Sequence, residues 1–105
     1  MPDSGSRTKY EVTFHPEAIE DYAEAFEWYA ERAEHLAESF EREFDRSFEL
    51  LVEAPHRWLS PRRRTGRVLL RRFPFAIICR IGDAEIVIMA VAHHGRRHGY
   101  WKHRS

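Results

Sequence analysis

From Glu17 to Glu53 the chain runs without a glycine or a proline, and an apolar, largely aromatic stripe recurs along it. Ile19, Tyr22, Ala23, Phe26, Tyr29, Ala30 and Ala33 fall at three- and four-residue steps, and Leu36, Phe40, Phe44, Phe48 and Leu51 continue the rhythm. Nothing local forbids one helix of about 37 residues. A chain of 105 residues, however, builds a single modest core, and so long a rod does not fit inside it. The spacing therefore predicts two helices folded into a hairpin, with the break within residues 32–35 and the end at Ala54-Pro55. His15-Pro16-Glu17 opens the first helix, because proline suits a first turn and Glu17, Glu20 and Asp21 suit its positive end.

Such a hairpin cannot bury its stripe alone, and the rest of the chain supplies strands. Tyr10 to Phe14 alternates apolar and polar residues, as a short strand does. His56 to Gly66 reads as a basic loop containing Trp58. Three strands follow, Arg67 to Arg72, Phe75 to Ile81 and Glu85 to His93, with a turn or edge at Phe73-Pro74. Gly82-Asp83 gives a two-residue hairpin signal in which glycine supplies a positive φ. In the last strand Ile86, Ile88 and Ala90 alternate with Val87, Met89 and Val91, so both faces are apolar and the strand belongs in the middle of a sheet covered on each side. The order is β-α-α-β-β-β. The expected fold is an α+β domain of two layers, the helical hairpin lying on a small, mainly antiparallel sheet. It spans residues 10–105, with Met1 to Lys9 as a flexible polar tail. The aromatic stripe is core rather than a cofactor box, and no cofactor is expected.

The net charge of zero hides a division. Glu11 to Ala54 holds fourteen acidic and three basic residues, while Pro55 to Ser105 holds twelve basic and two acidic ones, with five of the seven histidines. The basic half predicts an anionic partner; the alternative is that the two halves neutralise each other inside one fold. No apolar run is long enough to span a bilayer, and the first nine residues lack the apolar centre of a signal peptide. Cys79 is the only cysteine, which excludes an intrachain disulfide and a thiol-based zinc site and suits a reducing, cytoplasmic setting. Placed among Ile77, Ile78 and Ile81, it reads as a buried, inert thiol.

The chemistry-bearing residues gather after the last strand. His94, Arg96, Arg97, His98 and Tyr100 follow His93 directly, with Trp101 beyond them. Cleavage of an RNA phosphodiester needs a base for the 2′-hydroxyl, an acid for the leaving oxygen and a cation for the crowded phosphate. Histidine, tyrosine and arginine meet those needs, and Trp101 offers a stacking surface for a base. The competing reading is a solvated basic tail in which Trp101 closes the core. His94 and His98 stand four apart, but Gly95 and Gly99 argue against a helix there and no carboxylate or thiol lies nearby, so no metal site is expected. Arg62, Arg63, Arg64, Arg67, Arg71 and Arg72 form a second basic set, suited equally to phosphates or to an acidic peptide. Arg67 and Arg71 share strand parity and would line one face near the sheet edge. The helix carboxylates read as solvated faces without a catalytic role.

The β-α-α-β-β-β order, the opening Tyr10-Glu11-Val12-Thr13-Phe14-His15-Pro16-Glu17-Ala18, the Leu70-Arg71-Arg72-Phe73-Pro74-Phe75-Ala76-Ile77-Ile78 hairpin and the ending Val91-Ala92-His93-His94-Gly95-Arg96-Arg97 together resemble the RelE/ParE family of toxins from type II toxin–antitoxin systems, of the plasmid-stabilisation type. The resemblance spans roughly residues 10–104. It implies a cytoplasmic growth-arresting toxin, wrapped and neutralised by a cognate antitoxin, as a homodimer or a toxin–antitoxin hetero-oligomer. RelE-like members are metal-independent endoribonucleases that cut mRNA on the ribosome; ParE-like members lack the nuclease residues and poison DNA gyrase. In nuclease members a basic or histidine residue follows the last strand and a tyrosine stands some six positions on, which here implies His94 and Tyr100 for proton transfer and Arg96 or Arg97 for the phosphate. The position matching an arginine of the middle strand in those members is Ala76, for which Arg72 or Arg80 would have to substitute.

Overall fold

The computed structural model describes residues 10–60, 64–95 and 100–104. The expected tail at residues 1–9, together with Arg62, Arg63, Arg96, Arg97 and His98, lies outside the described residues. Strand β1 (Glu11–Phe14) leads into α1 (Pro16–Arg32), where the His15 Nδ1 accepts from the Glu17 N–H at 3.1 Å and Pro16 occupies the first turn. The hairpin break falls at Ala33, inside the expected window, with extended backbone. Its N–H still donates to the Tyr29 carbonyl while its own carbonyl accepts from Leu36, so one residue ends one helix and starts the next. Helix α2 (Glu34–Glu53) runs to Ala54. The supposed loop after it contains a single helical turn, α3 (Pro55–Trp58), and a two-residue strand, β2 (Leu59–Ser60). Strands β3 (Thr65–Leu69), β4 (Phe75–Ile81) and β5 (Glu85–His93) complete the sheet.

The strand order is β1-β5-β4-β3-β2, parallel between β1 and β5 and antiparallel elsewhere. As expected, β5 is an interior strand, held between β1 and β4, although β4 is the middle strand of the five. The helices lie on one face, where Phe40, Phe44 and Leu51 meet Val68, Ile77, Cys79, Ile81, Ile86, Ile88 and Val91. Tyr29, Phe40, Phe73 and Phe75 pack edge to face with centroids 5.0–6.3 Å apart, an arrangement that aromatic quadrupoles favour. On the other face Ala76, Ile78, Met89, Ala90 and Ala92 form a smaller core covered by Tyr100 and Trp101.

Four expectations need correction. In α1, Tyr22, Phe26 and Tyr29 of the expected stripe pack on the core, but the fully buried positions are Ala18 and Ala25, and Ile19 is 56% exposed. Strand β3 starts earlier and ends at Leu69, which removes Arg71 from it. The β4–β5 turn closes through the Gly82 N–H on the Glu85 carbonyl at 2.7 Å, with Gly82 outside the left-handed region; among the described non-glycine residues only Arg64 is left-handed, at φ 57°. Finally, β5 carries a bulge: Ile78 faces Ala90 and Cys79 faces Ile88, leaving Met89 as the extra residue. Met89 and Ala90 therefore share the open face, and Val91 turns to the helix side.

Candidate functional site

Pairing between β1 and β5 ends at Phe14 and Ile88, so the outer edge of β5 beyond that point needs other partners for its backbone. Two side chains meet part of that need. Asp21 of α1 accepts from the Val91 N–H at 3.0 Å, and Arg104 donates to the Met89 carbonyl at 3.0 Å. The two also bind each other, with Arg104 Nη1 2.8 Å from Asp21 Oδ2, and their side chains are only 6% and 10% exposed. Glu17 Oε1 lies 3.1 Å from Arg104 Nε, close enough for an ionic contact but not aligned as a hydrogen bond. Burial alone would lower the Arg104 pKa, but the hydrogen bond and charge of Asp21, helped by Tyr100 and Glu17, outweigh it and raise the value.

Tyr100 belongs to this knot. Its hydroxyl donates to Asp21 Oδ2 at 3.4 Å, and the Arg104 guanidinium sits 5.1 Å from its ring centroid. The ring itself packs on the open-face core beside Trp101. His94 is exposed just past β5, its N–H donating to the Pro74 carbonyl at 2.8 Å. Its neighbour His93 faces the helix side. The His93 ring stands edge-on to Phe75 with centroids 5.0 Å apart, and its Nδ1 accepts from the Gly95 N–H at 2.7 Å. Ala76 is 1% exposed in the core beneath Tyr100 and Trp101.

The second basic set does not form one cluster. Arg64 braces the β4–β5 turn, donating to the Ile81 carbonyl at 3.2 Å and lying 3.4 Å from Asp83. Arg67 projects from β3 on the open face of the sheet, since its partner Ile78 belongs to that face. Arg71 and Arg72 are exposed in the bend after β3, and Arg72 lines a depression against α2 with Ser39, Arg42 and Glu43. Arg80 joins Arg67 on the open face, 3.5 Å from the Met89 sulfur, in a hollow shared with Thr65, Trp101 and Lys102. Trp101 is half-buried there, packed on the open-face core. Among the described residues no group of three or more His, Cys, Asp or Glu is placed to hold a metal, and no helix is long and apolar enough to cross a membrane.

Reading the sequence missed Asp21 and Arg104. A signal was present for Asp21, which stands three residues after Ala18 and four before Ala25, the two buried positions of α1. None was present for Arg104, whose partner lies 83 residues away.

Comparison with known proteins agrees with this architecture. A solved structure described as the chromosomal ParDE TA system from P. aeruginosa superposes with a TM-score of 0.69 at 16% identity, covering 82% of this chain and 97% of that one. No curated protein sequence matches significantly. The family model for the ParE toxin of the type II toxin-antitoxin system parDE matches residues 12–98, most of the domain, and the chain therefore belongs to the ParE family of type II toxins.

Proposed function

We propose that this toxin, neutralised by a cognate antitoxin, arrests growth without catalysis, by binding DNA gyrase through protein contact. The observation that carries the reading is the placement of Tyr100. Its hydroxyl is bonded to a carboxylate that is itself clamped by a buried arginine. A group held this way anchors the end of the chain, with its proton directed at Asp21. Ala76 supports the same reading, because a buried methyl group offers nothing to a phosphate. What the open face of the sheet does offer is a docking surface, with Arg67, Leu69 and Arg80 exposed around half-buried Trp101. Arginine and tryptophan with an adjacent apolar side chain are the anchors typical of protein interfaces.

Expression of the chain alone should arrest growth, and co-expression of its antitoxin should restore it. Purified protein should block gyrase supercoiling and leave transcripts intact during translation, and Tyr100→Phe should keep the gyrase effect. Transcript cleavage that is lost in His94→Ala or Tyr100→Phe would instead establish the nuclease.

A further inference from the structure

We propose that the hollow on the open face of the sheet, between Arg67, Arg80 and Lys102, seats the carboxylate of an acidic segment on the protein target, with Leu69 and Trp101 taking an apolar side chain next to it. The inference rests on the protein-contact reading given above and names the chemistry that the target must present.

Three observations converge. The first is how charge divides between the layers. Helices α1 and α2 hold thirteen acidic residues against three arginines. Arg67 and Arg80 stand on the opposite face of the sheet, and Lys102 joins them from the end of the chain. The acids that share this face by register, Glu11 and Glu85, lie at its β1 end. A molecule with an acidic layer and a basic face turns an anionic partner toward the sheet.

The second is that these cations are not neutralised from within. Thr65 pairs with Arg80 across β3 and β4, and Arg67 lies two residues along β3. That register makes the two arginines diagonal neighbours, about 7–8 Å apart on one face. Neither makes an ion pair among the described residues, and neither does Lys102. Glu85 precedes by two residues the Val87 that faces Arg80, yet the guanidinium reaches the other way along β5, to the Met89 sulfur. A thioether is a weak acceptor for a group with five N–H donors, so this contact aims the fork without satisfying it. Arg104 also lines the hollow, but Asp21 and Glu17 neutralise it.

The third is size and surroundings. The hollow has a volume of about 220 Å³, below the roughly 300–1,000 Å³ of sites for whole ligands, which suits a single side chain. Met89 and Trp101 line it beside Thr65, and Leu69, 55% exposed, follows Arg67 by two residues on the same face. Arginine and carboxylate make a strong and directional pair, and Trp, Met and Arg are the residues that protein interfaces concentrate. A nucleic-acid backbone instead asks for cations at successive phosphates. Among the described residues Arg64 is held at the β4–β5 turn and Arg72 lies against α2, so neither extends the patch into such a track.

Two measurements on the whole protein test this. Random twelve-residue peptides displayed against it should enrich for aspartate or glutamate beside an aromatic or branched apolar residue. A fluorescent version of the best peptide should bind about tenfold more weakly to Arg67→Gln and to Arg80→Gln, the loss of one charged contact. Arg42→Gln, which removes the same charge from α2, should bind it as the wild type does. All three positions are exposed, so their urea midpoints should match the wild type and separate binding from folding. The second measurement replaces the peptide with immobilised gyrase, and the same ranking of variants is expected. An unenriched library, peptides without an acidic residue, or affinity indifferent to both Arg67→Gln and Arg80→Gln would each overturn the proposal. So would an RNA or DNA oligonucleotide that displaces the peptide and weakens in the same two variants, because the hollow would then serve phosphates. Gyrase that binds the wild type and both variants alike sinks the proposal and leaves the gyrase reading standing. Gyrase that binds none of them removes that reading, while loss of the acidic peptide in the two variants still upholds the proposal.

Discussion

At the scale of single residues, the Asp21–Arg104 pair carries the most consequence. One carboxylate serves the Val91 amide, the Arg104 guanidinium and the Tyr100 hydroxyl, almost out of contact with water. Removing one partner strands the other, which in buried pairs costs about 3–5 kcal/mol, while replacing both by apolar groups is often neutral. Asp21→Asn should therefore shift the urea midpoint far more than the double variant Asp21→Asn/Arg104→Met, and equal shifts would show that the pair is not coupled. Helix carboxylates are usually solvated, and although Asp21 stands between the buried positions Ala18 and Ala25, nothing in the sequence pairs it with Arg104, 83 residues away. That is why the knot was invisible in the sequence, while Tyr100, which it fixes, was singled out for another role.

The elements themselves were largely legible. Proline, hydrophobic period and strand alternation placed α1, α2, β4 and β5, because these signals act over a few neighbouring residues. The region from His56 to Gly66 was not, since β2 and the start of β3 exist only through pairing with each other and with β4. Gly66 shows why a residue that reads as a loop sits in a strand. A Cβ there would lie 2.8 Å from the Trp58 carbonyl oxygen and 2.9 Å from the Cys79 sulfur, so the close approach of three segments depends on its absence. Gly66→Ala should force those segments apart and cost about 1–3 kcal/mol by chemical denaturation, whereas Gly82→Ala, whose Cβ would make only an ordinary contact, should be nearly neutral.

For the whole molecule, the two-layer design was foreseeable because a helical hairpin and a small sheet each need the other's apolar face. Its stability should carry an alkaline signature. Burial pushes the Cys79 thiol up to about 11 from an ordinary 9.0, partly opposed by a bond from the Gly66 backbone, and burial with the nearby carboxylates of Glu41 and Asp45 pushes Tyr22 up to about 12. The unfolded chain ionises first, so stability holds below pH 9 and falls as the pH rises through 11 and 12. Cys79→Ala should flatten the part of that fall between pH 9 and 11, measured as urea midpoint against pH; an unchanged slope would mean the thiol ionises alike in both states.

The bulge at Met89 ties these scales together. It works as an expansion joint: one residue is spliced into the central strand, yet everything after it keeps its own neighbours in β4, from Ala90 opposite Ile78 to His93 opposite Phe75. Arg104 seals the joint by holding the carbonyl of the spliced residue. Chains of this architecture can thus gain or lose a residue at this point in β5 without turning the histidines that follow toward the wrong side of the sheet.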